Sequence, residues 1–195
     1  MRMALSSSVR TKRWTRVEYE RLVDLGAFRP GERLELVGGA LLVREPQGGP
    51  HFTAVGLIED VLREVFGADW TIRAQGPIAL DDDSEPEPDI AVVPGSRRDH
   101  RYAHPSHPVL IVEVADSSLD FDRGEKASLY ARAWIADYWI LNLRERLLEV
   151  YREPTPAPQA RYGHRYSATI TLGPNDRVSP LAVPSAAILV ADLLP

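Results

Sequence analysis

The chain has 195 residues, 44% hydrophobic and 26% charged, the composition of an ordinary globular protein with ample length for a core. Its formal net charge of −5 excludes coating nucleic acid through overall charge alone. The absence of cysteine excludes disulfides, thiol nucleophiles, cysteine zinc sites and iron–sulfur clusters.

Residues 1–14 read as a loose basic arm without the apolar stretch of a signal peptide. Thr15 followed by Glu18 is a capping-box pattern, predicting a short helix through about Leu25. RLELVGGALLVRE places two strand-like runs around Gly38-Gly39, a hairpin signal. HFTAVGLIEDVLREVFG repeats apolar residues at Val55, Ile58, Val61, Leu62 and Val65, a helical period closed by Gly67. Residues 70–80 read as a strand with an interruption at Gly76-Pro77, and 81–88 as an acidic turn. DIAVVP and PVLIVEVAD read as strands too apolar for one-sided burial, joined by the polar loop GSRRDHRYAHPSH. A helix over 120–135 leads to the strand DYWILNL, and a turn at Arg144-Glu145 leads to LLEVYRE. PTPAP reads as a surface loop, RYSATITL as a strand, and PSAAILVADLL as a closing helix or turn. This order predicts one mixed α/β domain over residues 1–195. The longest uncharged run, VSPLAVPSAAILVA, is too short for a membrane span, so a cytoplasmic location is expected.

Dinucleotide, phosphate-loop, HExxH and GxSxG motifs are absent from the sequence. His100, His104 and His107 cluster in the polar loop, but no neighbouring acid completes a ligand set, so the loop reads as solvated.

Three features carry chemistry. Glu87-Pro88-Asp89 enters an apolar strand. Glu113 lies within VLIVEVAD, where alternation places it on one face with Val109, Ile111 and Ala115. Asp122, Lys126 and Tyr130 are spaced four apart on the next helix. Lys126 is one of only two lysines, Lys12 being the other. Each feature has a plain structural alternative: a turn, an arginine ion pair, or a surface pair worth only ~0.3–0.5 kcal/mol. Together they supply what phosphodiester cleavage needs. Two carboxylates can hold Mg²⁺, which polarises phosphate and generates hydroxide, and a lysine can orient water or stabilise the developing charge.

EPDIAVVP and VLIVEVADSSLDFDRGEKASLYARAWIADYWILNL resemble the Uma-type restriction endonuclease family of the PD-(D/E)XK nuclease superfamily. RLELVGGALLV followed by His51 is similar to that family's ELxxGxL…H segment. The resemblance implies a restriction-endonuclease-like core: a central mixed sheet flanked by helices, with an N-terminal helix and hairpin. It implies that Asp89 and Glu113 are metal ligands, Glu35 a third, outer ligand, and Mg²⁺ or Mn²⁺ the cofactor. The superfamily's strand lysine is replaced here by Ala115, and Lys126 matches the family's displaced lysine on the next helix. Gln75 is placed facing the site as an accessory, and Tyr130 as a residue packing helix on sheet.

The expected activity is hydrolysis of DNA phosphodiesters by a Mg²⁺-bound water, with Asp89, Glu113 and Lys126 catalytic. Two alternatives stay open: a non-catalytic interaction protein on a nuclease fold, and a hydrolase of RNA or a small phosphate ester. Residues 1–30 carry seven basic and three acidic residues, so a DNA grip is expected from the arm and from Arg97–Arg101, with a solvated tail and loop as the alternative. Cutting both strands of a duplex benefits from two sites, so a homodimer is expected.

Overall fold

The computed structural model describes residues 10–44 and 46–195. Most of the expected basic arm, residues 1–9, lies outside them; residues 10–14 are irregular and largely exposed. Helix α1 (Arg16–Asp24) opens with the complete Thr15–Glu18 capping box. Strands β1 (Leu34–Val37) and β2 (Ala40–Val43) form the predicted hairpin. Gly38 and Gly39 turn it with φ of 53° and 76°, both left-handed as its two-residue turn requires. Paired backbone bonds between Leu36 and Glu85 pin the hairpin to the acidic turn.

Helix α2 (Gly49–Phe66) buries His51, Ala54, Val55, Ile58, Leu62 and Phe66 along one stripe and ends at Gly67, φ 72°. It precedes a six-stranded sheet of order β3-β4-β5-β6-β7-β8. The strands are β3 (Trp70–Ala74), β4 (Ile90–Pro94), β5 (Leu110–Ala115), β6 (Asp137–Asn142), β7 (Leu147–Pro156) and β8 (His164–Leu172). Only β5 and β6 pair in parallel; the other neighbours are antiparallel. A parallel pair needs a crossover. Here it is helical: α3 (Leu119–Phe121), a π-helical turn (Asp122–Lys126), then α4 (Ala127–Arg132).

Both sheet faces are covered. Helix α2 and the C-terminal segment pack on Ile90, Val92, Val112, Trp139 and Leu141. On the other face, Ala91, Val93, Ile111, Tyr138 and Ile140 meet Leu129, Tyr130 and Val37. Each fully buried Ile or Leu contributes about 1.5–3 kcal/mol. Among the described residues no helix is long and apolar enough to cross a membrane.

Four sequence expectations need correction. The strand over 70–80 ends at Ala74, because Gln75 takes φ 50° and turns the chain; Gln75 is therefore not on the strand. PTPAP is not simply loop: Pro154 and Pro156 lie in β7, paired with Tyr166 and His164. There β6 has ended, so their missing N–H groups face no second neighbour. Val109 packs on the α2 side, away from Ile111. The closing segment is a short β10 (Ile188–Leu189), paired with β9 (Arg177–Val178), followed by a 3-10 turn (Val190–Leu193).

Candidate active site

Two adjacent strand ends form the floor. Glu113 is 2% exposed, on the β5 face that the crossover helix covers. Asp89 immediately precedes β4, the antiparallel neighbour. The two are tied across the strands: Asp89 N–H donates to Glu113 Oε2 at 3.2 Å, and Val114 N–H donates to Asp89 Oδ2 at 2.9 Å.

The crossover helix supplies the next layer. Its π turn brings Lys126 back over the strand end, where Nζ lies 2.9 Å from Glu113 Oε1 and 3.3 Å from Glu35 Oε2. Tyr130 donates its hydroxyl to Glu113 Oε1 at 2.7 Å, while also packing helix on sheet. Neither Asp122 nor Lys126 lies on the surface; both are 3% exposed. Asp122 accepts from Ser118 Oγ at 2.6 Å, and among the described residues Lys126 is ion-paired to Glu113 and Glu35, not to Asp122.

The hairpin closes the site from above. Glu35 accepts from the Glu87 N–H at 3.0 Å as well as facing Lys126. Arg44 follows β2 and places Nη2 3.0 Å from Asp89 Oδ1, while Nη1 donates to the Glu87 carbonyl at 2.6 Å. Gln47 donates to the same Asp89 oxygen at 3.2 Å, and Gln75 reaches it at 3.5 Å. Finally, the first turn of α2 brings in His51, with Nε2 3.1 Å from Asp89 Oδ2. That contact lacks hydrogen-bond alignment, so the buried Nε2 has no hydrogen-bond partner.

Glu35, Arg44, His51, Asp89, Glu113, Asp122 and Lys126 line one cleft of about 430 Å³, with Gln47, Gly48, Ser117 and Ser118 at its walls. Burial opposes the charge of Lys126, but Glu113, Glu35 and Asp122 outweigh it and hold the ammonium protonated well above its ordinary range. Burial raises the Glu113 carboxyl, with Lys126 pulling the other way. Burial, then the Glu113 charge, pushes Asp122 up to about 7. Arg44 stays cationic because Glu113 and Asp89 overcome its desolvation. Four acids thus face two cations.

Among the described residues no three His, Asp or Glu side chains form a ready-made metal cage. The donor set nevertheless fits a divalent ion. Asp89 Oδ2 and Glu113 Oε2 each accept one backbone N–H, leaving lone pairs free, and the unpartnered His51 nitrogen stands beside them. The acid excess is also what a dication balances. Buried Asp137, outside the cleft, is by contrast fully used: it accepts from Trp139, Arg152 and Leu181.

Of the residues singled out in the sequence, Glu35, Asp89, Glu113, Asp122 and Lys126 meet in this cleft, while Tyr130 and Gln75 do not line it but hydrogen-bond Glu113 and Asp89. His51 and Arg44 had no assigned role in the sequence reading. A histidine at the head of the α2 apolar stripe was the available signal for the first; nothing local marked Arg44. His100, His104 and His107 do not converge: they bond Pro94, approach Glu85 and bond Ser106, respectively. The Arg97–Arg101 loop follows the far end of β4, five residues or ~17 Å from Asp89.

A family model described as "Uma2: Putative restriction endonuclease" matches residues 16–191. The fold is similar to a crystal structure of "a putative nuclease belonging to DUF820" from Anabaena variabilis ATCC 29413. The TM-score is 0.68 at 18% identity, covering 92% of this chain and 97% of that one. No curated protein matches the chain. With the match running from α1 to the C-terminal 3-10 turn, through every strand that builds the cleft, the chain belongs to the Uma2 family.

Proposed function

We propose that the protein is a divalent-metal-dependent nuclease that hydrolyses DNA phosphodiester bonds at the cleft between hairpin and sheet. The observation that carries this reading is the buried Lys126 ammonium, held between Glu113 and Glu35 on the wall of an open cleft that also holds Asp89. An ion pair needed only for stability has no reason to sit beside a cleft with surplus acids.

Asp89 and Glu113 would hold the ion, each through the oxygen that now accepts a backbone N–H. When bound, a divalent ion polarises the phosphate and acidifies water. Lys126 remains protonated, so it acts as a fixed cation that donates to a phosphate oxygen or orients the attacking water, and not as a base. Tyr130 and Glu35 aim it by fixing Glu113 and the ammonium. The start of α2 has no side-chain cap and opens on the same cleft, which gives a phosphate free backbone N–H donors. With the Arg97–Arg101 loop at the opposite end of β4, the DNA grip is assigned to the hairpin side.

The test is cleavage of supercoiled plasmid with Mg²⁺ or Mn²⁺, run beside RNA and an activated phosphate diester. Nicking that EDTA abolishes is expected. Cleavage of RNA or the small ester alone would move the substrate, and no hydrolysis of any of the three would overturn the catalytic reading.

A further inference from the structure

Among the described residues lining the cleft, His51 alone has a buried side-chain atom without a hydrogen-bond partner. It is 8% exposed, at the head of a helical stripe otherwise made of Ala54, Val55, Ile58, Leu62 and Phe66. A histidine there would ordinarily satisfy both ring nitrogens, because a buried polar atom without a partner is costly. Nε2 has none among the described residues. It lies 3.1 Å from Asp89 Oδ2, yet the ring is not aligned to donate to that oxygen. Nor does Asp89 need a cation from His51, since Arg44 already supplies one at 3.0 Å.

A separation near 3 Å without a hydrogen bond has another meaning. Two ligands at right angles on one ion, each about 2.1 Å from it, stand about 3 Å apart. We propose that His51 Nε2 is a ligand of the divalent ion, so that this cleft is a mixed nitrogen–oxygen site that takes a first-row transition ion such as Mn²⁺ in preference to Mg²⁺. The inference rests on the metal-dependent reading above and adds the ligand and the ion class. Its chemistry is selective: Mg²⁺ holds to hard oxygen donors, whereas an imidazole adds affinity for transition ions.

The experiment strips the full chain with EDTA, then titrates Mn²⁺ by electron paramagnetic resonance and Mg²⁺ by competition. Wild type should bind Mn²⁺ more tightly, and the bound Mn²⁺ should show hyperfine coupling to a ligand ¹⁴N in pulsed spectra. His51→Gln, checked for folding by circular dichroism, should weaken Mn²⁺ by roughly 10- to 100-fold. Mg²⁺ should change by less than about 3-fold, because the amide offers an oxygen in place of the nitrogen. If the variant fails to fold, the wild-type spectrum decides. Tight Mn²⁺ without nitrogen coupling would overturn the His51 assignment while leaving the metal reading intact. Equal losses for the two ions would overturn the selectivity. Wild-type protein that binds neither ion would overturn both readings together.

Discussion

Replacing Lys126 by methionine keeps the length of the side chain and removes its charge. The ammonium sits 2.9 Å from Glu113 and 3.3 Å from Glu35. At an effective dielectric of about 20, those contacts are worth about 6 and 5 kcal/mol of attraction. Desolvating three buried charges takes back most of this, so the pair itself is a weak source of stability. Removing one partner is another matter, because Glu113 and Glu35 are then left buried together. The expected loss for Lys126→Met in EDTA at pH 8 is about 3–5 kcal/mol. Burial already raises the Glu113 carboxyl, and without Lys126 it rises further. Below that pKa the carboxyl takes a proton and the repulsion fades, so the deficit should shrink at pH 5. Urea unfolding at the two pH values reads both effects, and Mn²⁺ should restore part of the lost stability. Nuclease activity should drop by roughly 10²–10³. A deficit of equal size at pH 5 and pH 8 would refute the electrostatic account. A variant as stable as wild type would refute the buried triad itself.

On the metal-dependent reading Arg44 and a divalent ion would compete for Asp89, so Arg44→Ala should tighten Mn²⁺ binding about 3- to 10-fold, from the screened repulsion of one buried cation; calorimetric titration reads it, and weaker binding would contradict the competition. Asp122 is raised to about 7 by burial and then by Glu113. The folded state therefore holds this proton more tightly than the unfolded state does, and metal-free stability should fall as pH rises from about 4 to 7. Asp122→Asn should flatten that slope and exceed wild type at pH 8 by about 1–3 kcal/mol in thermal or urea unfolding; an unchanged slope would assign it elsewhere.

Much of this architecture is written locally. Thr15 and Glu18 form the cap that their spacing announces, and Gly38-Gly39 adopts the left-handed pair that its hairpin needs. The acids of the cleft were legible for a related reason: a carboxylate within VLIVEVAD has no cheap place to go, and the structure puts partners around it. What escaped depends on long-range pairing. Arg44 follows a short, wholly apolar strand, and its meeting with Asp89 exists only once the hairpin folds over the sheet. The prolines of β7 argue for a loop because one-dimensional reading cannot tell that β6 starts only at Asp137, opposite Arg152, and leaves Pro154 and Pro156 without a β6 partner. Gln75 reads as a continuation of a strand because side-chain type does not report a backbone with φ 50°. The π turn was equally hidden, since Asp122, Lys126 and Tyr130 fit a regular helix on paper.

The site draws Glu35 and Arg44 from the hairpin and its end, His51 from α2, Asp89 and Glu113 from the ends of two strands, and Lys126, with Tyr130 bonded to Glu113, from the crossover. This scattering has a consequence in time. A ribosome adding about 5–20 residues per second delivers Glu35 many seconds before Lys126. The crossover also rests on Tyr166 of β8, which is made later still. A nascent or clipped chain therefore holds acids without their lysine, or a lysine without its seat. On the nuclease reading proposed above, hydrolytic competence would come only with the finished fold, and half-made copies of the protein would leave the nucleic acid around them intact.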